Sequence, residues 1–263
     1  MEERILFTSE SVSEGHPDKV CDQISDAILD EVLALDPLAH VACECFITQD
    51  FLLIGGEITT SCKVDYEKIA RDVLIKIGYV SDEIGIDGYN CKILNLINTQ
   101  SSDIAQGVNR GKIEDQGAGD QGIMFGYASD DSENYMPLPI VMAHKLVRVA
   151  SSLRHEGKFK HARPDMKSQV TIDYTDTTPR VKTVLMSVQH DEDVDMESFK
   201  KYIHDEIMVP VVASFHLNTD FEYLINPTGR FVIGGPKGDT GLTGRKIIVD
   251  SYGGSARAGG GCF

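Results

Sequence analysis

The sequence predicts an α+β protein in which helices cover one face of mixed β-sheets. Strand-like runs come in pairs, amphipathic helices lie between the pairs, and apolar residues make up 41% of the 263 residues. Charged residues make up 25%, a balance typical of soluble globular proteins. A chain of this length can form one large domain or two ordinary ones with hydrophobic cores.

Four helices are predicted from apolar residues at helical spacing. The first covers roughly 17–35 and begins at Pro17, a residue suited to the first turn of a helix. The other three cover 64–77, 139–155 and 198–209. Asp18, Asp22, Asp26 and Asp30 recur every fourth residue of the first helix. For Asp22 to Asp30 the pattern predicts a solvated face.

The clearest strands form a hairpin, at 40–48 and 51–60, joined by the tight connection Gln49-Asp50. Glu44 and Glu57 are acids within these apolar strands, and each either faces water or binds a ligand. The other strand-like runs are 92–97, 169–174, 181–189, 221–225, 231–233 and 246–252.

His16 and Asp18 stand where the first helix begins. A helix amino terminus attracts anions, a histidine can donate to phosphate, and a carboxylate can hold Mg²⁺. A plain capping role is the alternative for both residues.

The carboxy-terminal segment 226–263 is a basic, glycine-rich island in an acidic chain. It has five basic and two acidic residues, whereas the whole chain carries a net charge of −16. Gly235, Gly238, Gly241 and Gly244 recur every third residue, a spacing that matches no known phosphate-binding fingerprint. The island therefore indicates either capture of a small polyanion or a flexible surface loop.

Two further stretches indicate ligand contact. Residues 100–116 are polar and without periodicity, and a loop of that length often forms a lid. In 117–122 three glycines surround Asp120, which suggests backbone close to a ligand with Asp120 as acceptor.

Composition excludes several classes of function. The excess of negative charge argues against nucleic acid as a partner. No run reaches the ~18 apolar residues of a membrane span, and the first residues do not resemble a signal peptide. The six cysteines form no C-x-x-C pair, so we expect reduced thiols in a cytoplasmic protein rather than a metal site.

Three segments together resemble the S-adenosylmethionine synthetase family: 7–19 (FTSESVSEGHPDK), 117–122 (GAGDQG) and 234–246 (GGPKGDTGLTGRK). The resemblance covers the chain from end to end. It implies transfer of adenosyl from ATP to L-methionine, followed by hydrolysis of the triphosphate to phosphate and diphosphate. It also implies intertwined, pseudo-symmetric α+β domains and a homodimer or homotetramer with active sites at the dimer interface.

The resemblance also implies roles for individual residues. His16 would contact the leaving phosphate, Asp18 would bind Mg²⁺, and Glu44 would help to hold K⁺. Residues 100–110 match the loop over the family's active site. Methionine-binding positions match Glu57, Gln100 and Asp239. The positions that hold ATP match Asp165, Met166, Lys167, Arg230, Phe231, Arg245 and Lys246. Three of these residues would also act in catalysis together with His16, namely Lys167, Arg245 and Lys246. Asp120 and Cys262 complete the expected binding set.

By the same resemblance, 1–102 is the N-terminal domain, 115–232 the central domain, and 233–263 an incomplete start of the C-terminal domain. The family pattern continues beyond Phe263 and has alanine where Cys262 stands, so we expect a truncated member with weakened catalysis. One alternative is a non-catalytic subunit that binds ATP or methionine and pairs with a complete chain. Another alternative is an unrelated ATP-dependent phosphotransferase. Glu57 and Gln100 argue against it, because they match methionine-binding positions of the family.

Overall fold

The computed structural model describes residues 4–99 and 122–259, and it confirms the α+β class. Two four-stranded sheets each carry helices against one face. Gln100, Asp120, Cys262 and the expected lid over 100–110 lie outside the described residues.

The helices are α1 (Pro17–Leu35), α2 (Tyr66–Ile77), α3 (Leu138–His155), α4 (Met196–Tyr202), α5 (Val209–Ala213) and α6 (Ile247–Asp250). A π-helical turn, Ile203–Met208, joins α4 to α5, and a 3-10 turn covers Gly235–Lys237. The strands are β1 (Leu6–Val12), β2 (His40–Thr48), β3 (Phe51–Thr59), β4 (Val80–Ser81), β5 (Ile86–Asp87), β6 (Lys92–Asn98), β7 (Ala162–Asp173), β8 (Arg180–His190), β9 (Glu222–Ile225) and β10 (Gly241–Leu242).

Both large sheets are mixed. The first has the order β1-β7-β8-β9, with β9 parallel to β8 and the other pairs antiparallel. The second has the order β10-β2-β3-β6, with only β3 and β6 parallel. Each sheet therefore contains strands that are distant in sequence, so the first and last parts of the chain are packed together.

Each sheet has its own hydrophobic core. Strands β7 and β8 pack their inner side chains against α3 and the helical segment 196–213. Strands β2 and β3 pack against α1 and α2. The apolar stripe of α1, formed by Val20, Ile24, Ile28 and Val32, is fully buried at the spacing that predicted it.

The predicted helices are largely confirmed. α1 matches its predicted limits, and α2 begins two residues later because the side chain of Asp65 caps it, accepting from the Lys68 amide at 3.0 Å. The fourth predicted helix is found as α4, the π turn and α5 in succession. Pro210 has no amide to continue the α-helical pattern there.

Two predicted strands in the glycine-rich segment are wrong. Residues 231–233 are irregular, and 246–252 contains the short helix α6 instead of a strand. The strand of this segment is β10, which pairs Gly241 with Ile47 and Leu242 with Phe46. An apolar run forms a strand only where an edge is available, and β2 offers its edge to β10.

The first sheet also differs from the prediction at two places. β1 was not predicted, and β7 begins at Ala162 rather than at 169. The pairing of β7 with β8 is interrupted between Ala162 and Met166, where Pro164 lies. A proline cannot donate to the ladder, so it occurs at such an irregularity.

Among the described residues, no helix has the length and apolar character needed to cross a membrane.

We expect Gly15→Ala to lower the free energy of unfolding by about 1–3 kcal/mol, the usual cost of overpacking. A Cβ at Gly15 would overlap the backbone of Pro164, which cannot move without shifting β7. The matched control is Gly126→Ala, since a Cβ there meets nothing within 4 Å. Urea titration of both variants checks this, and equal stability of the two would contradict it.

Candidate active site

The amino terminus of α1 carries two buried polar side chains. His16 is its N-cap residue, and its Nδ1 accepts from the Asp18 amide at 3.2 Å, so the capping role is confirmed. Burial, together with the positive charge of Lys246, lowers the pKa of His16 to about 4. A neutral imidazole that accepts at Nδ1 carries its proton on Nε2. His16 is therefore a neutral hydrogen-bond donor near pH 7.

Asp18 is a buried carboxylate held by two donors. Its Oδ1 accepts from the Leu242 amide at 3.0 Å, and its Oδ2 accepts from Lys246 Nζ at 2.5 Å. Burial alone would raise the pKa of Asp18, but the hydrogen bonds from Lys246 and from the Leu242 amide outweigh it and lower the pKa. The carboxylate is thus kept ionised in a site with 3% exposure.

Asp165 on β7 approaches the same site from the first sheet. Its Oδ2 accepts from the Gly235 amide at 2.9 Å, while its Oδ1 is buried without a hydrogen-bond partner among the described residues. Burial raises the pKa of Asp165 to about 6, although the Gly235 amide acts in the other direction. The charges of Lys167, Lys246 and Asp239 also act on Asp165, which brings these four sequence-predicted residues into one electrostatic neighbourhood.

Two glycines allow the carboxy-terminal segment to reach this site. A Cβ at Gly241 would overlap the backbone of Pro17 in the first turn of α1. Gly235 has a φ of 59°, and a Cβ there would overlap the ring and hydroxyl of Tyr79. These glycines thus allow the backbone of the segment to pack closely against α1 and Tyr79.

Sequence reasoning missed three residues around the site. Asp22 is not part of a solvated face, because its Oδ1 accepts from the Gly244 amide at 2.8 Å. Lys19 makes ion pairs with Asp22 and Asp250, and Tyr79, fully buried, donates its hydroxyl to the Gly15 carbonyl. Each of the three has at least one partner that is distant along the chain, namely Gly244 for Asp22, Asp250 for Lys19 and Gly15 for Tyr79, so no local pattern could identify their roles. Asp26 and Asp30 are exposed, as predicted.

The other candidate residues lie around or away from this cluster. Glu44 and Glu57 are exposed on β2 and β3, and Arg245 is exposed one residue before Lys246. Arg230 is exposed and forms an ion pair with Glu192, while the Phe231 amide donates to Nε2 of His190 at 3.0 Å.

Met166 differs from the rest. Its side chain is completely buried in the core of the first sheet, and its amide donates to Ser13 Oγ at 2.8 Å. Its carbonyl accepts from the Ser13 amide at 2.9 Å. Any contribution of Met166 to a ligand site would therefore be made through the position of its neighbours Asp165 and Lys167.

Comparison with known proteins covers nearly the whole chain. Models of the S-adenosylmethionine synthetase N-terminal, central and C-terminal domains match residues 4–102, 115–231 and 233–263. An S-adenosylmethionine synthase of Mesoplasma florum is 66% identical over 261 residues, which are 99% of this chain and 69% of that protein. S-adenosylmethionine synthases of Mycoplasma capricolum subsp. capricolum and Mycoplasma mycoides subsp. mycoides are 64% and 63% identical, over 99% of this chain and 67% of theirs.

With these matches, the mixed-sheet fold and the site between its sheets define an enzyme of the transferase class. The chain belongs to the S-adenosylmethionine synthetase family, and its function is methionine adenosyl transfer. The resemblance that the three sequence segments indicated is thereby confirmed.

The raised pKa of Asp165 leads to a pH-dependent prediction. A carboxyl with a folded pKa of about 6 stabilises the fold below its unfolded pKa, and this stability is lost as pH rises through 6. Relative to Asp165→Asn, the unaltered chain should lose about 2 kcal/mol of unfolding free energy from pH 4.5 to 7, at ~1.36 kcal/mol per pKa unit. Denaturant titrations of both proteins at each pH measure the difference, and parallel curves would show that Asp165 does not titrate in this range.

Proposed function

We propose that this chain forms S-adenosylmethionine from ATP, L-methionine and water at the amino terminus of α1, and releases phosphate and diphosphate. The observation that carries the proposal is the convergence of His16, Asp18 and Lys246 from segments more than 200 residues apart. The test is incubation of the purified chain with ATP, Mg²⁺, K⁺ and methionine, with product measured by mass spectrometry. Binding of ATP without product would favour the non-catalytic subunit instead.

The chemistry needs cations more than a nucleophilic side chain. The methionine sulfur attacks the 5′ carbon of ATP, the bond from that carbon to oxygen breaks, and the triphosphate leaves with about four negative charges. Preorganised donors that meet this developing charge lower the barrier. Lys246, Lys167 and Arg245 are the proposed cations, and the neutral His16 donates through Nε2 to a phosphate oxygen.

The proposed Mg²⁺ ligand is Asp18. Mg²⁺ in nucleotide sites is commonly held by one or two carboxylates together with substrate phosphates and water. The Asp18 carboxylate fits this requirement because it is ionised and placed beside Lys246, the proposed triphosphate donor. When bound, the ion would supply additional charge neutralisation of the phosphates.

The proposed K⁺ ligand is Glu44. Although Glu44 is exposed, partial desolvation by its neighbours and the nearby charge of Asp22 raise its pKa. Two like-charged carboxylates in one neighbourhood favour a bound cation, and a large, weakly charged ion suits oxygen ligands on a sheet surface. This supports Glu44 as part of a monovalent cation site.

The remaining assignments concern the adenosine and methionine portions. The unpartnered Oδ1 of Asp165 can accept from a ligand without losing an existing hydrogen bond. We propose that the ATP site consists of Asp165, Met166, Lys167, Arg230, Phe231, Arg245 and Lys246. The proposed methionine site consists of Glu57, Gln100 and Asp239. Asp120 and Cys262 complete the proposed binding set. We also propose the domain limits 1–102, 115–232 and 233–263, and a cytoplasmic location, which agrees with the five described cysteines being free thiols.

An open sheet face supports a homo-oligomer. The pairing register places Leu242, Phe46, Leu53 and Leu94 in one row across all four strands of the second sheet, on the face away from α1 and α2. In the next row lie Glu44 and Leu96, which is 49% exposed. An apolar row open to water is typical of an interface. We propose that two copies meet through this face, which would bring Glu44 and Glu57 to the dimer interface.

The catalytic cations yield a prediction on turnover. Lys167→Ala and Arg245→Ala should each lower kcat by about 10²–10³-fold, the usual loss for one donor to transition-state charge, with less change in the KM for ATP. Lys201→Ala is the control, because Lys201 is exposed and paired with Asp205 on α4 and the π turn. Turnover within threefold of the unaltered chain for both site variants would remove them from the catalytic set.

The proposed interface yields a second prediction. Leu94→Glu should place an unpaired charge in the contact, cost about 2–5 kcal/mol of association, and shift the protein to a monomer with reduced product formation. Leu38→Glu is the matched control, since Leu38 is 67% exposed and lies between α1 and β2. Sedimentation velocity measures the mass of each, and an unaltered chain that is a fully active monomer would contradict the proposal.

A further inference from the structure

The glycine-rich segment is attached to one face of α1 by two carboxylates. Asp18 accepts from the Leu242 amide at 3.0 Å, and Asp22 accepts from the Gly244 amide at 2.8 Å. The two carboxylates are one helical turn apart, ~6 Å along α1. The two amides lie on either side of the point where β10 ends at Leu242 and a turn begins at Thr243. Because both hydrogen bonds come from one face of α1, this helix serves as a template for the conformation of residues 242–244.

Lys19 connects this template to the segment that follows. Its Nζ lies 2.9 Å from Asp22 Oδ2 and is also paired with Asp250. It therefore holds the second oxygen of Asp22, leaving Oδ1 free to accept from Gly244. The amide of Asp250 donates to the carbonyl of Lys246 at 2.8 Å, one helical turn away in α6.

Arg245 and Lys246 are consequently fixed on both sides. Asp22 holds the residue before them, and Lys19 holds Asp250, which follows them by one turn. Lys19 is itself occupied by two carboxylates and its side chain is only 22% exposed. Lys19 therefore stabilises the position of the glycine-rich segment, and its ammonium group is already paired and not available as a phosphate ligand.

We propose that Lys19 and Asp22 are positioning residues, which set the place of Arg245 and Lys246 for the leaving triphosphate. This inference rests on the proposed function of those two cations. Without the ammonium of Lys19, the carboxylates of Asp22 and Asp250 would face each other uncompensated, and the segment between them would move away from α1.

The first test is Lys19→Met, with Lys19→Arg as the conservative variant and Lys68→Met as the control. Lys68 forms a comparable ion pair, with Asp72 at 2.6 Å, but its side chain is 69% exposed. Lys19→Met should lower kcat by about 10–100-fold, the usual effect of losing a residue that supports a ligand-binding side chain, with the KM for methionine little changed. Lys19→Arg should restore most of the rate, and Lys68→Met should have no effect.

The second test separates positioning from a general structural role. In a background that lacks both cations, Arg245→Met together with Lys246→Met, Lys19→Met should cost less than threefold, because residues that act through one another are not additive. Full additivity of the two losses would overturn the proposal, as would an unchanged rate for Lys19→Met alone.

The third test holds even if the proposed function fails. An unaltered chain that makes no product contradicts the proposed activity, and hydrogen exchange then decides the positioning alone. Lys19→Met should accelerate exchange of the Gly244 amide at least tenfold and leave amides in the middle of α3 unchanged. An unchanged Gly244 amide would show that Lys19 does not hold the segment.

Discussion

The buried carboxylate of Asp18 is the constraint on which the rest of the site depends. Removing an ionised group from water costs several kcal/mol unless it is paired and hydrogen-bonded. Here the Leu242 amide and Lys246 meet that requirement, and both belong to a segment that follows Asp18 by more than 220 residues. Burial of one side chain thus brings the late part of the chain onto the first helix. The same contact places β10 on the edge of the second sheet and Leu242 at the start of its apolar row.

The net charge of individual segments of this protein differs in sign from the net charge of the whole chain. The chain carries −16, yet its glycine-rich segment is basic, and ion pairs join this segment to α1 in both directions, Lys246 with Asp18 and Asp250 with Lys19. Lys246 forms an ion pair with Asp18, and Lys19 forms ion pairs with both Asp22 and Asp250. On the proposed function, Lys246 would turn from Asp18 to a phosphate oxygen, and Asp18 would hold Mg²⁺, which would supply the positive neighbour that Lys246 provides here. After such an exchange the buried carboxylate of Asp18 would still have a positive partner.

Burial also sets the protonation of the two other polar groups of the site. It lowers the pKa of His16 to about 4 and raises that of Asp165 to about 6, so both groups shift toward their neutral forms. At pH 7 His16 is therefore neutral, whereas Asp165 is still largely ionised and becomes neutral only below about pH 6. The charges of Asp18 and Lys246, by contrast, are paired with each other.

Local sequence determined the long helices and the β2–β3 hairpin, whereas only the tertiary structure decided β1, the start of β7 and the conformation of the glycine-rich segment. The stripe of Val20, Ile24, Ile28 and Val32 and the β2–β3 hairpin were predictable because periodicity and a tight connection act within a few residues. Three sequence segments also indicated the family and most candidate residues. The two strands predicted at 231–233 and 246–252 failed because glycines permit many backbone conformations, and the choice among them was made by β2 and α1. Asp22, Lys19 and Tyr79 could not be recognised for the same reason, since each derives its role from a partner that folding alone brings near.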